Sequence, residues 1–271
     1  MLEKVLLWFN DMEAVLTVLS NMGMLGVAII SAWYAYRAYK HQKDRSKKDA
    51  ACELAAYYAD VITEECRYIY DVFRKTELDQ FVRDTIDLNQ ISKFDVAELA
   101  SFTQKKKLPA DIFKRRLNEI DPLIIIQCKI LRAKSVTERR ELQDYYERLS
   151  NLQDTDDERK REASVLLRDF TDAMARLMNH LEWFCMKCSY QLAEEELIYR
   201  SLHQTFLSTV WLLYPFISCL NTEIAEKYFT NTIWLFNKWQ QRVADVKQMA
   251  EEQRRMCDAE LEKLCNSTPL R

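Results

Sequence analysis

The sequence predicts an all-α protein, and two observations lead to this prediction. Glycine occurs only twice in 271 residues, at Gly23 and Gly26. Strand-rich folds need turn residues at short, regular intervals, and this chain does not supply them. Charged residues make up 30% of the chain and alternate with apolar residues at helical spacing, which indicates amphipathic helices. The four prolines are Pro109, Pro122, Pro215 and Pro269.

The first predicted helix is the longest uncharged stretch of the chain, residues 14–36. Its 23 residues make about 34 Å of helix, enough to cross a hydrocarbon core of about 30 Å. Because cytoplasmic flanks carry the positive charge, the stretch predicts a single-pass protein of an inner (plasma) membrane, with its N-terminus outside. The basic residues that follow it are Arg37, Lys40, Lys43, Arg45, Lys47 and Lys48.

Two other interpretations of this stretch fit less well. A cleaved signal peptide carries its positive charge before a shorter apolar segment, whereas here the charge follows a long one. A buried core helix rarely runs this far without a charge. The predicted organisation is an extracytoplasmic head (residues 1–13), a transmembrane helix (14–36), a basic stalk facing anionic lipid headgroups (37–49) and a cytoplasmic all-helical domain (50–271).

Within the cytoplasmic domain, apolar residues at spacings of three and four predict a helix over residues 50–74. Weaker patterns predict short helices up to residue 104, with Asp95 as an N-cap. Asp121 followed by Pro122 marks another helix start. The polar stretch 151–162 is predicted to be a loop and a sub-boundary, and eight irregularly spaced cysteines fit reduced thiols.

Two helices are predicted over residues 163–220, and the second holds an uncharged stretch, residues 205–220, that contains Pro215. This stretch is too short to span a membrane comfortably, so a core helix is favoured. The alternative is a segment that contacts or enters the membrane, as in a membrane-disrupting effector.

The last predicted helix, residues 231–264, carries a seam of three-four spacing that either packs on the bundle or pairs with another chain. Together with the small residues Ser20, Gly23 and Gly26 in the first helix, the seam predicts a homodimer or larger assembly. The seam comprises Leu235, Trp239, Val243, Val246, Ala250, Gln253, Cys257, Leu261 and Leu264.

Polar residues on two neighbouring predicted helices form the first candidate site. Asn179 and Glu182 are three residues apart, and Arg200, His203 and Gln204 have i, i+3 and i+4 spacing. Such groups on facing helices predict a buried polar network that fixes helix register, or a small polar site.

Arg200 and His203 also permit a catalytic interpretation. Helical ribonucleases of the HEPN type use an Arg and a His on one helix. Arg200 and His203 are the alternative catalytic pair for such an activity. Only two residues separate them, which is a shorter spacing than that of the ribonuclease motif. Arg176 and His180, separated by three residues, are also too close. Without glycine no phosphate-binding loop is predicted, and no cofactor is expected. An enzyme is therefore the less favoured class.

Cys185 and Cys188 form a CxxC pair with His180 upstream. A structural zinc site normally uses four ligands, and no second pair exists, so His180, Cys185 and Cys188 are only a weak alternative metal set. Buried thiols that act as small apolar side chains are the favoured interpretation.

A basic patch lies between Lys105 and Arg140, with eleven Lys or Arg residues and four acidic ones. On a membrane-bound protein such a patch faces either anionic lipid or solvent. No aromatic residues alternate with the basic ones, so nucleic acid is not an expected partner.

Three segments carry a family resemblance: NHLE at 179–182, IYRSLHQTFL at 198–207 and TNTIWLFNKW at 230–239. With the N-terminal stretch, they resemble a loosely defined bacterial family of single-pass, membrane-anchored helical proteins of unknown function, over roughly residues 160–271. The resemblance implies a protein that acts by binding, as a sensor or effector with an unidentified protein partner. It also implies an association with phage defence or stress response.

Overall fold

A computed structural model describes the backbone of residues 2–153, 157–222 and 227–267, and the side chains of these ranges between residues 30 and 259. The all-α prediction is confirmed, since every regular element of the described chain is helical. A π-helix spans Tyr58–Ile62 and a 3₁₀-helix spans Leu88–Gln90. The α-helices are α1 (Leu2–Tyr57), α2 (Thr63–Lys75), α3 (Leu78–Thr85), α4 (Val96–Lys105), α5 (Ile112–Asn118), α6 (Pro122–Arg132), α7 (Val136–Ser150), α8 (Asp157–Ser189), α9 (Glu195–Leu220) and α10 (Thr230–Ser267).

The chain divides into two compact units, residues 1–50 and 51–271. The first unit consists of most of α1, and its described aromatic side chains are exposed. Arg37 lies over the ring of Trp33, 5.3 Å from its centroid, and Arg45 pairs with Asp49 at 4.0 Å.

The predicted membrane location requires correction. Within the part of the chain that the structure describes, no helix combines the length and the hydropathy needed to span a bilayer. From Ile30 onward, α1 soon reaches the basic residues between Arg37 and Lys48, which interrupt any apolar run. This finding contradicts the single-pass inner-membrane location, which we do not retain. The side chains of residues 1–29, including most of the predicted span, lie outside the described residues.

The core of the second unit forms where α8, α9, the start of α10 and α2 pack together. Trp239 of α10 is fully buried, with its ring centroid 4.9 Å from that of Phe206 and 5.5 Å from that of Tyr199. Helix α9 buries much of the uncharged stretch 205–220, including Pro215, within this core. The sequence pattern therefore reflects burial by neighbouring helices.

Two helices begin at the capping residues that the sequence predicts. The Asp95 carboxylate accepts a hydrogen bond from the Glu98 amide at 2.8 Å, and Asp121 accepts one from the Leu123 amide at 2.9 Å. The predicted loop at 151–162 is shorter in the structure, because α8 already begins at Asp157.

Helix α10 has two parts with different surroundings. Leu235, Phe236 and Trp239 are buried in the bundle, whereas every residue from Ala244 to Ala259 is exposed. We call residues 244–259 the exposed half of α10. The predicted seam thus packs on the bundle in its first part only, and Leu261 and Leu264 lie outside the described side chains.

Candidate functional site

Two segments that carry the family resemblance meet at the start of α10. The Glu182 carboxylate on α8 accepts hydrogen bonds from the amides of Asn231 (3.0 Å) and Thr232 (2.9 Å). It also accepts from the Asn231 side-chain nitrogen at 2.7 Å and the Thr232 hydroxyl at 2.8 Å. A helix N-terminus presents unpaired amides and a partial positive charge, so this carboxylate caps α10 from another helix. Its role is structural.

The five residues of the predicted polar network do not form one network in the described chain. Glu182 faces α10, while Arg200 donates to its neighbour Glu196 at 3.0 Å. The Nδ1 atom of His203 lies 2.8 Å from the Tyr199 carbonyl oxygen, and its ring stacks on that of Tyr199 at 4.5 Å. The remaining members, Asn179 and Gln204, are exposed.

Arg200 belongs to an ion cluster that joins α9 to α10. Glu196 accepts hydrogen bonds from Arg242 (2.9 Å) and Arg200, and these two guanidinium groups lower its pKa to about 2. Beside it, Glu195 accepts a hydrogen bond from the indole nitrogen of Trp239 at 2.9 Å. Arg200 thus lies on a solvent-exposed surface, in an ion cluster that links α9 to α10.

The alternative metal residues have other partners. Burial raises the pKa of Cys188 to about 12 and that of Cys185 well above its usual range, so both thiols stay protonated at neutral pH. His180 contacts the Tyr57 hydroxyl through Nδ1, and its Nε2 atom lies 3.8 Å from the Glu65 carboxylate. Among the described residues, no three His, Cys, Asp or Glu side chains are grouped as metal ligands.

The basic patch between Lys105 and Arg140 includes residues that pair with acidic side chains. Lys129 pairs with Asp169 at 3.3 Å and Arg132 with Glu64 at 2.7 Å. Both line a groove of about 690 Å³ between α2, α6, α7 and α8, which also contains Tyr68 and carries charges of both signs. With the membrane location corrected, we assign no lipid contact to the basic residues of the predicted stalk.

The most distinctive cavity lies elsewhere, between α2, α3 and α9 beside the π-helix. It has a volume of about 370 Å³ and is rich in hydroxyl groups, and we call it the hydroxyl pocket. Among the described residues that line it, none is a carboxylate. They are Tyr58, Thr63, Cys66, Arg67, Tyr70, Arg83, Thr205, Ser208, Thr209 and Leu212.

The π-helix places Tyr58 in this wall. The Thr63 amide and hydroxyl both donate to the Tyr58 carbonyl, which closes the wider turn, and such turns are frequent at functional sites. The Tyr58 side chain is 1% exposed and packs on Phe184, with the ring centroids 5.0 Å apart. Its hydroxyl is buried without a well-formed hydrogen bond among the described residues, although the Thr209 side chain lies close enough to influence its pKa. Burial raises its pKa well above the usual range, so the hydroxyl remains a proton donor.

Arg83 supplies positive charge to the pocket. Its guanidinium lies over the ring of Trp211, 5.0 Å from the centroid, and the Trp211 indole donates to the Ile86 carbonyl at 3.1 Å. Arg83 forms no ion pair within the described chain, whereas Arg67, the other arginine of the pocket, pairs with Glu64 at 2.9 Å. The guanidinium N–H groups of Arg83 therefore remain available to a ligand.

The remaining polar groups of the pocket come from α9. The Thr209 hydroxyl donates to the Thr205 carbonyl at 2.8 Å and lies 3.2 Å from the Cys66 sulfur. Thr205 and Ser208 are exposed. Sequence reasoning missed this site, although the i, i+3, i+4 spacing of Thr205, Ser208 and Thr209 put three hydroxyls on one face of an otherwise apolar stretch.

Comparison with known families adds one finding. Residues 129–239 match the model of a family described as a domain of unknown function (DUF4760). The match runs from α6 to the buried start of α10, and it includes the α9 wall of the hydroxyl pocket but neither Tyr58 nor Arg83. No curated protein and no solved structure matches the chain. This part of the chain is thus similar to a family of unknown function, as the resemblance implied, while the match carries no information on a membrane anchor or a bacterial source.

Proposed function

We propose that this protein acts by binding, as a sensor of a small molecule that carries a phosphate group in the hydroxyl pocket. The observation that carries the proposal is the exposed Arg83 guanidinium, which lies over Trp211 at the pocket wall and forms no ion pair within the described chain. A guanidinium held in this way keeps its N–H groups free to bind an anionic oxygen.

The chemistry of the pocket favours an anionic oxygen as that partner. Arg83 is held against Trp211 with free N–H donors, and the exposed hydroxyls of Thr205 and Ser208 line the same pocket. Arginine recognises phosphate through several parallel hydrogen bonds. No described carboxylate lines the pocket to compete for these donors. The volume of about 370 Å³ falls in the range of roughly 300–1,000 Å³ that is typical of small-molecule sites.

Binding is a better description than catalysis because the pocket lacks an activated group. Burial raises the pKa of the Cys66 thiol, the one sulfur nucleophile among the described lining residues. The Tyr58 hydroxyl likewise stays protonated. A thiol must ionise to attack, so neither group is poised for chemistry at neutral pH. Ribonuclease activity at Arg200 and His203, and the association with phage defence, stay predictions of the sequence.

Calorimetric titration of the full chain tests the proposal, with AMP as the probe and adenosine and inorganic phosphate as comparisons. We expect AMP to bind and adenosine to bind much more weakly, because only AMP carries the phosphate. Arg83→Ala should weaken AMP binding roughly 10- to 150-fold, the effect of losing a charge-assisted contact. Arg116→Ala is the matched control, since Arg116 stacks on Phe81 at the same 5.0 Å outside the pocket. An AMP affinity that Arg83→Ala leaves unchanged would contradict the assignment.

Tyr58→Phe separates a binding role from a packing role. If the hydroxyl turns toward a bound ligand, its removal should weaken AMP binding several-fold. Tyr68→Phe is the control, because the Tyr68 hydroxyl is also buried without a partner but lines the charged groove. It should leave AMP binding intact. Equal effects of the two changes on binding would rule out a specific role for Tyr58.

A further inference from the structure

The exposed half of α10 buries none of its side chains, although Ala244 and Gln248 at its start line a shallow pocket beside Leu88 and Leu207. Every residue from Ala244 to Ala259 is exposed, and the helix continues to Ser267. Most helical stability in proteins comes from packing an apolar face, and isolated helices are marginal in water. A partner that covers one face would therefore stabilise this segment.

One face of this segment is apolar. Val246, Met249 and Met256 are 53%, 55% and 62% exposed, and they follow a three-four spacing. Ala250 and Cys257 lie on the same face at about 100° per residue. These five residues form what we call the apolar stripe, and Gln253 is the polar residue that lies among them on the same face. In the sequence, Leu261 and Leu264 extend it.

The edges of the apolar stripe carry opposite charges. Asp245 and Glu252, seven residues apart, lie along one edge, and Lys247 and Arg254, also seven apart, lie along the other. A repeat of seven residues keeps each edge at the same position in a coiled coil. The helix thus has an acidic edge and a basic edge on either side of its apolar face.

We propose that the partner is a second copy of this chain, paired with its α10 parallel to the first. A two-fold axis parallel to the helices places the acidic edge of one copy beside the basic edge of the other. In an antiparallel pair the axis lies across the helices, and like charges face each other. Since like charges across a coiled-coil seam are unfavourable, the charge pattern selects the parallel arrangement.

Sedimentation analysis of the full chain tests the pairing. The unmodified protein should sediment as a dimer, and Val246→Glu should convert it to a monomer with an unchanged melting temperature of the bundle. Ala244→Glu adds the same charge on the opposite face and should leave the dimer intact. A monomeric unmodified protein, or a Val246→Glu variant that stays dimeric, overturns the proposal.

Cys257 reports the direction of the helices. A parallel, in-register pair places the two Cys257 residues side by side, within reach of a disulfide. Oxidation with copper–phenanthroline in air should give a covalent dimer that Cys257→Ser abolishes and Cys52→Ser, at another exposed cysteine, does not. A dimer in solution whose cross-linking does not depend on Cys257 overturns the parallel arrangement.

Discussion

Replacing Glu182 with alanine should lower the free energy of unfolding by about 2–3 kcal/mol. The change removes the acceptor of four hydrogen bonds at the start of α10, from the backbone and side chains of Asn231 and Thr232. It leaves the first amides of the helix without their partner in a part-buried site, and it removes a negative charge from the positive end of the helix dipole.

Urea denaturation followed by circular dichroism measures this effect. Asp172→Ala is the matched control, because Asp172 lies exposed on the same helix, and it should change stability by less than about 0.5 kcal/mol. A Glu182→Ala variant as stable as the control would show that the cap contributes little.

Replacing Trp239 with alanine should have a larger effect, about 3–5 kcal/mol. The indole is fully buried between α9 and α10 against Phe206 and Tyr199, and its nitrogen donates to Glu195. The change leaves a cavity lined by aromatic rings and strands a carboxylate oxygen, and both consequences destabilise the fold.

The control for this change lies on the same helix. Trp234 is 41% exposed, and its ring is covered by Lys238. Trp234→Ala should cost less than about 1 kcal/mol, because the lost ring is already in contact with water. Similar losses for the two variants, measured by the same denaturation, would contradict the described position of Trp239.

The helical fold could be predicted because its signals are local. Scarce glycine, three-four periodicity and the capping residues Asp95 and Asp121 act within a few residues of themselves, and the structure agrees with each. The length of the first uncharged stretch predicts a membrane span, and this prediction is wrong, because no helix in the described part of the chain is both long and apolar enough to cross a bilayer. The three-four period predicted for α10 agrees with the structure. The period alone does not distinguish the part of the helix that packs on the bundle from the part that is exposed.

The candidate site could not be predicted because its residues come together only in the fold. Tyr58 and Arg83 reach the hydroxyl pocket from helices far in sequence from Thr209, and no pattern marks the π-helix that orients Tyr58. Similarly, the spacing of polar residues predicts partners for Glu182 on α9, but its actual partners are different. They lie on α10, since the direction in which α8 presents this carboxylate is set by tertiary packing.

The central claim is that the hydroxyl pocket holds a phosphate group, and an anomalous difference map of crystals soaked with tungstate tests it most directly. Tungstate is a tetrahedral oxyanion like phosphate, and its metal atom marks its own position. We expect one strong peak inside the pocket, within hydrogen-bond reach of the Arg83 guanidinium, and no such peak in crystals of Arg83→Ala. A pocket without a peak, while tungstate binds elsewhere on the protein, would contradict it.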